Sequence, residues 1–410
     1  MAPHHPPTVT SFTREQVTLD SGSILAKLPI IGAILAVLGL GGTFALGMGD
    51  QVNMYASYTT AFMFWLSIAV GAFFFVTIFF LTRSAWNVTV RRTAETAMAT
   101  LPVFLLLFIP MIIGMGVLFH WTDDNHMAHD TIMQWKEPWL NEVGFYLRAA
   151  FYFAVWIVFS WIFYRRSTQQ DETGDHEHTR KLQMLAAPAV MLCAVAITFA
   201  GVDWMMTTDA HWFSTIFGVY YFAGSMVVTM AFMVLMALNL RATNATSGAI
   251  TEEHVHGLGQ LMYGFNCFWA YIAFSQFFLI WYGNIPEETN WYAYRYIGGW
   301  ENISHGLIIF HFVLPLFFLM PRYMKRAPWA VGSGAVLLFV MHYVDMMYLV
   351  KPSVLHAHGL TGFQFGIVDI AAFLGVGGVF LIAFGLRLRK NALVAYRDPR
   401  LPESMGYANM

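Results

Sequence analysis

The chain has 410 residues, of which 58% are hydrophobic and only 11% charged. A soluble globular domain carries about 25% charged residues, so a soluble enzyme is excluded, and a net charge of −2 gives no nucleic-acid-binding surface. The two cysteines, Cys193 and Cys267, lie inside apolar runs, which rules out both a CxxC metal site and a disulfide framework.

The first 27 residues are polar and contain His4 and His5, read as a disordered cytoplasmic segment with no cleavable signal. Apolar runs then follow near 28–48, 60–82, 100–120, 145–164, 184–206, 215–239, 257–281, 302–321, 329–350 and 367–386. Each matches the roughly 20 residues needed to cross a hydrocarbon core about 30 Å thick. The runs are continuous rather than alternating, which argues against a membrane barrel. The predicted fold is an all-α integral membrane protein: a ten-helix domain over 28–390, then a polar cytoplasmic tail over 391–410 that could dock a neighbour.

Lys and Arg orient the spans. Eighteen, from Arg14 to Arg400, fall on one side, and only Lys136, Arg148, Arg295 and Lys351 fall on the other. The positive-inside rule places both termini in the cytoplasm. Two polar loops on that side, 165–183 and 241–256 with His254 and His256, read as solvated connections rather than metal sites.

The fifth span ends in Val202-Asp203-Trp204-Met205-Met206 and the ninth in Val344-Asp345-Met346-Met347-Tyr348. An offset of four spans preserves direction, so the expected organisation is two parallel four-helix units, about 60–206 and 215–350, flanked by the first and last spans.

Ionisable groups inside a span are costly and mark functional candidates. They are Glu95, His120, Arg148, Asp203, His305, His311, His342, Asp345 and Asp369, and most lie toward the outer ends. A haem between helices needs two axial histidines at matching depth, and two well-separated histidines on each of two helices are absent. Quinol chemistry needs groups that hydrogen-bond both ring oxygens and accept protons, which His beside Asp supplies. His120, Asp203 and Arg148 are candidates for quinol or proton handling, with Trp121, Trp204, Gln276 and Tyr282 as ring-binding groups. Glu95, His305, His311, His342 and Asp345 could form a proton path. Two other classes stay open: an architectural subunit whose polar groups only tie helices together, and a secondary transporter, disfavoured by charges at the outer ends rather than the midplane.

The segment Asp203-Trp204-Met205-Met206-Thr207-Thr208-Asp209-Ala210-His211-Trp212 and onward to Tyr220 resembles the polysulfide-reductase-type (NrfD-like) membrane subunits. Those of alternative complex III, a bacterial quinol:cytochrome c oxidoreductase, are most similar, and the length fits the smaller of its two such subunits. The resemblance implies a respiratory-chain subunit of the bacterial inner membrane with no metal or covalent cofactor of its own, a substrate of the menaquinone or ubiquinone type, and electron-carrying partners: an iron–sulfur protein, haem c subunits and a homologous membrane subunit. It maps the quinol site onto His120 and Asp203 near Arg148. It leaves open whether the smaller subunit keeps that site or serves structure or proton conduction.

Overall fold

The structure, a computed structural model, describes residues 12–409, and these form helices with no strand among them. His4 and His5 lie outside the described residues. Ten helices are long and apolar enough to cross a membrane: α1 (Ile24–Gly47), α2 (Gln51–Leu81), α3 (Val88–Ile113), α4 (Glu142–Thr173), α5 (Glu177–Thr208), α6 (Phe217–Ala242), α7 (Glu252–Gly283), α8 (Trp300–Leu319), α9 (Pro328–Ala357) and α10 (Ile367–Lys390). The chain is an all-α multi-pass membrane protein, as its composition predicts.

Helices α2 to α5 pack around one another, and so do α6 to α9. The two groups meet where α2 lies against α6 and α9, and where α5 lies against α6. Helices α2 and α6 are the most enclosed, with 83% of their apolar windows buried. That explains why they are apolar on every side. The other pair, α1 and α10, packs on itself and on α2. Their axes approach through glycine: a Cβ on Gly39 would fall 2.3 Å from the Gly375 nitrogen, and one on Gly378 2.3 Å from the Ala36 nitrogen. Lipid gives no hydrophobic drive between helices, so close backbone packing of small residues has to hold such a pair.

Both described ends lie on the Lys/Arg-rich face, called here the basic face. The tail does not hang free for a neighbour. Val394, Leu401 and Met405 pack with Phe12, Val17 and Val88 in one apolar cluster, and the Leu393 N–H donates to the Val17 carbonyl at 2.7 Å. The expected solvated loops are likewise mostly absorbed. Helix α4 runs on to Thr173 and is capped by Gly174 in the left-handed conformation at φ 71°. His254 and His256 are buried under the tail, and His254 Nε2 sits 3.0 Å from the Ser404 carbonyl.

Two spans lose regular α-geometry at prolines. Helix α3 breaks into Val88–Met98, Leu101–Leu107 and Ile109–Ile113, with Pro102 and Pro110 in the first turns of the second and third pieces. Helix α8 carries a π-helical stretch over Leu307–Val313. Pro315 has no N–H for the His311 carbonyl, so the preceding turn widens. That widened turn is the one that carries His311.

Candidate functional site

Asp203 in the first four-helix unit and Asp345 in the second are fully buried, and each is gripped by a tryptophan and a tyrosine. In the first unit Asp203 on α5 accepts from Trp139 Nε1 at 2.9 Å and from the Tyr152 hydroxyl at 2.8 Å. In the second, Asp345 on α9 accepts from Trp269 Nε1 at 3.0 Å and from the Tyr220 hydroxyl at 2.7 Å. The third neighbour differs. Asp203 receives a two-pronged bond from Arg148, Nε at 2.8 Å and Nη2 at 3.1 Å, while the guanidinium stacks 4.1 Å from the Trp139 ring centre. Asp345 has no such cation among the described residues; His342 Nδ1 stands 4.0 Å from its Oδ2.

The interior of the first unit is packed, and a cavity of about 350 Å³ lined by Trp139, Phe199, Val202 and Met206 borders it. Trp204 fills that interior, with ring centres of Phe108, Phe153 and Phe62 at 4.7, 5.6 and 6.0 Å. Trp121 is buried against Phe119 and Phe145 and has no part in the Asp203 group. His120 is not brought to Asp203. It lines a surface pocket of about 440 Å³ with His129, Asp130, Asp209, His211 and His356, and Asp203 is not among the lining residues. At the rim, His211 Nε2 meets Asp130 Oδ2 at 2.5 Å. Burial works to raise the Asp130 carboxyl, but the Met133 and Ile132 N–H groups and His211 outweigh it and hold the acid below its ordinary value. Lys136 donates to the Ala210 and His211 carbonyls at 2.6 and 2.9 Å; burial pushes its ammonium below the usual lysine value, against the pull of Asp209 and Asp130.

Glu95 lies apart from the other proton-path candidates. It binds Arg91 at 2.8 Å, Arg92 at 3.4 Å and the Ser167 hydroxyl at 2.7 Å. Arg91 in turn holds Asp398 of the tail at 2.7 Å, and Arg92 holds Asp171 at 2.6 Å. This network clamps the basic face together. His305 is exposed on the outside of α8. Tyr282 is 77% exposed and stacks on Phe278, whereas Gln276 is 2% exposed and faces inward. Lys351, one residue past the ninth apolar run, is inside α9 and fully buried, paired with Asp369 at 2.7 Å. Helix α9 is longer than its apolar run: it continues to Ala357, so Asp345 lies about three turns inside its end rather than one.

His311, His342 and Asp345 do come together. All three are fully buried, and one ligand atom from each lies within 4.8 Å of the others. His342 and Ser67 sit midway along α9 and α2. The Ser67 hydroxyl donates to the Phe64 carbonyl at 2.6 Å, so it accepts from His342 Nε2 at 3.0 Å. That assigns the imidazole proton to Nε2 and leaves Nδ1 as a bare acceptor turned toward Asp345. His311 stacks on Trp269 with ring centres 3.8 Å apart, and neither of its ring nitrogens has a hydrogen-bond partner among the described residues. Such a cluster can take up a proton, because uptake would turn two opposed acceptors into a donor and an acceptor. It also has the residue types to hold a cation, although its ligand atoms stand wider apart than in a closed zinc site, where bonds are about 2.0–2.3 Å long.

Beyond Tyr220 and Trp269 lies a cavity of about 490 Å³, walled by Trp291, Tyr292, Tyr348 and Phe277 and reached past Phe274 and Ile308. Behind Trp291 sits Arg295, fully buried, with its guanidinium 3.3 Å from the indole centre. It donates to the Tyr348, Leu349 and Trp291 carbonyls and the Ser353 hydroxyl, and no carboxylate pairs with it among the described residues.

Sequence reasoning missed Tyr220, Trp269, Ser67, Tyr152 and Arg295. Tyr152 had a signal, standing one helical turn after Arg148 on the same face. Ser67 had none, because serine is unremarkable inside an apolar span. No family model matches the chain, and a search of curated proteins finds no significant relative.

Proposed function

We propose that the chain is a proton-handling membrane subunit of a quinol-oxidising respiratory complex of the alternative complex III type, with its basic face toward the bacterial cytoplasm. The Lys/Arg asymmetry supports the orientation, and the resemblance around Asp203 to Tyr220 supports the complex. Oxidising one quinol releases two electrons and two protons. The electrons would leave to iron–sulfur and haem c centres of partner subunits, and the protons need buried acceptors within the membrane part.

The observation that carries this reading is the opposed pair of acceptors, His342 Nδ1 and Asp345 Oδ2, 4.0 Å apart and fully enclosed. A purely structural pair would be satisfied, as Asp203 is. The pair at α9 is short of one proton, which is the condition of a site that loads and unloads one. The first unit favours an architectural reading for its own half, since Asp203 is saturated by donors and its interior is filled by aromatic rings.

The test is Asp345→Asn in the assembled complex. General acid–base groups contribute about 10²-fold or more, so quinol:cytochrome c turnover should fall about a hundredfold, while Asp203→Asn should act chiefly on assembly. Turnover unchanged in the Asp345 variant would falsify the reading.

A further inference from the structure

The cavity of the second unit has a chemistry of its own. None of its lining residues is Asp, Glu, Lys, Arg or His. It therefore suits an uncharged occupant, since a charged one would be desolvated without a partner. Its walls are flat faces: Trp269, Trp291, Tyr292 and Tyr348 are indole or phenol rings, which favour a planar guest. Its mouth lies between Phe274 and Ile308, 62% and 54% exposed on the apolar outer surfaces of α7 and α8, so it opens toward hydrocarbon rather than water. The size of about 490 Å³ falls within the range of roughly 300–1,000 Å³ for ligand sites.

Polar groups are few. Gln276 accepts from the Ser214 hydroxyl at 3.0 Å and donates to the Tyr292 hydroxyl at 3.3 Å. The Tyr292 hydroxyl accepts that bond and donates none among the described residues, so it keeps a proton to offer an oxygen of the guest. On another wall the Tyr220 hydroxyl donates to Asp345 and keeps lone pairs free to accept from a guest hydroxyl. A donor and an acceptor on separate walls of an aromatic slot, with a lipid-facing mouth, match a ring that carries an oxygen at each side and trails an apolar tail.

We infer that this cavity between α6, α7, α8 and α9 binds the head of a neutral, planar, lipid-soluble ring compound of the hydroquinone/quinone class, with Tyr292 and Tyr220 contacting its oxygens and its tail leaving between Phe274 and Ile308. The inference rests on the proposed function and places the ring site in the second unit rather than at His120 and Asp203, which the structure does not bring together and where Asp203 is already saturated by Trp139, Arg148 and Tyr152.

The test uses the full-length protein in its complex, in lipid nanodiscs, and an azido-substituted decyl benzoquinone as photolabel. After illumination, peptide mapping by mass spectrometry locates the adduct. Label concentrated in residues 269–277 and 304–313, and displaced by excess unlabelled decyl benzoquinone, is expected. Ala273→Trp, which places an indole in the cavity, should cut that labelling at least tenfold while the melting temperature holds. Label in the first unit, or spread over the lipid-facing surface and undisplaced, overturns the assignment. The outcome is separate from that of Asp345→Asn: a variant with normal turnover removes the proton-loading role and leaves the labelling pattern to stand or fall alone.

Discussion

His342 and Asp345 point two acceptors at one another, Nδ1 toward Oδ2 at 4.0 Å, on one face of α9 in the middle of the second unit. The equivalent space beside Asp203 holds the Arg148 guanidinium. One unit has thus neutralised its aspartate with a fixed charge, and the other has left it beside a titratable ring. The two aspartates share a Trp and Tyr grip and differ in what completes it, which is a difference in chemistry rather than in fold.

The position of His342 depends on Gly224. A Cβ there would fall 2.7 Å from His342 Cε1 and 3.1 Å from Nδ1. The ring is fully buried and held by Ser67, so it has little freedom to yield. Gly224→Ala should push the imidazole off the Ser67 bond and change its distance to Asp345. The expected result is a turnover loss of at least tenfold with a displaced pH–rate profile, measured on the assembled complex. Gly264→Ala, with no atom within 4 Å of its added methyl, is the control and should behave as wild type.

In the first unit the expected effect is on stability. Asp203 is fully buried and Arg148 is 18% exposed at its side chain. Removing one partner of such a pair leaves an uncompensated charge and costs about 3–5 kcal/mol. Arg148→Ala should therefore lower the unfolding midpoint of the purified protein markedly, and Arg148→Ala with Asp203→Asn should recover much of the loss. Additive losses in the double variant would show that the two residues do not act as a pair.

The ten spans and the burial of Asp203 and Asp345 were legible because hydrocarbon imposes length and charge rules on any spanning helix. What surrounds each aspartate was not. Tyr220 and Trp269 come from α6 and α7, and Ser67 from α2, so the group exists only after helices distant in sequence pack. His120 and His305 illustrate the reverse error: both stand at plausible depth, yet one turns to a surface pocket and the other to the exterior. Depth follows from sequence position, whereas the side of the helix facing a partner follows from packing. Gly39 and Gly378, by contrast, carried a small-residue spacing that could have paired α1 with α10 from sequence.

The Asp130 contact gives a pH dependence on the face opposite the basic one. Its carboxyl is held below the ordinary value, so its contribution to local stability is complete above the unfolded carboxyl pKa of about 4 and fades as pH falls through the lower folded value. The facing groups are His211 and Lys136. Hydrogen exchange of the helix Thr131–Lys136, corrected for intrinsic rates, should show constant protection from neutral pH down to the ordinary carboxyl range and a loss below it. Asp130→Ala, which cannot accept from Ile132 and Met133 as Asp130 does at 2.9 and 3.0 Å, should lack that protection already at neutral pH. Equal protection in the variant would show that the cap contributes nothing.

The α1–α10 pair yields the sharpest structural contrast. The atoms that meet an added Cβ on Gly39 are the Gly375 nitrogen and α-carbon and the Ala371 carbonyl oxygen, all backbone, so no side-chain rotation can make room. Two residues along the same helix, Gly41 has nothing within 4 Å of its added Cβ. Gly39→Leu should therefore force α1 away from α10 at a cost of at least about 1–3 kcal/mol, the range for overpacked sites, and Gly41→Leu should cost nothing measurable. Disulfide trapping between Cys replacements at Gly42 and Ala371, where an added Cβ on Gly42 would stand 3.5 Å from the Ala371 Cβ and so within disulfide reach, reads the separation directly: efficient with Gly39 or with Gly41→Leu, and lost with Gly39→Leu. Efficient trapping in all three would mean that α1 is held by something other than this glycine contact.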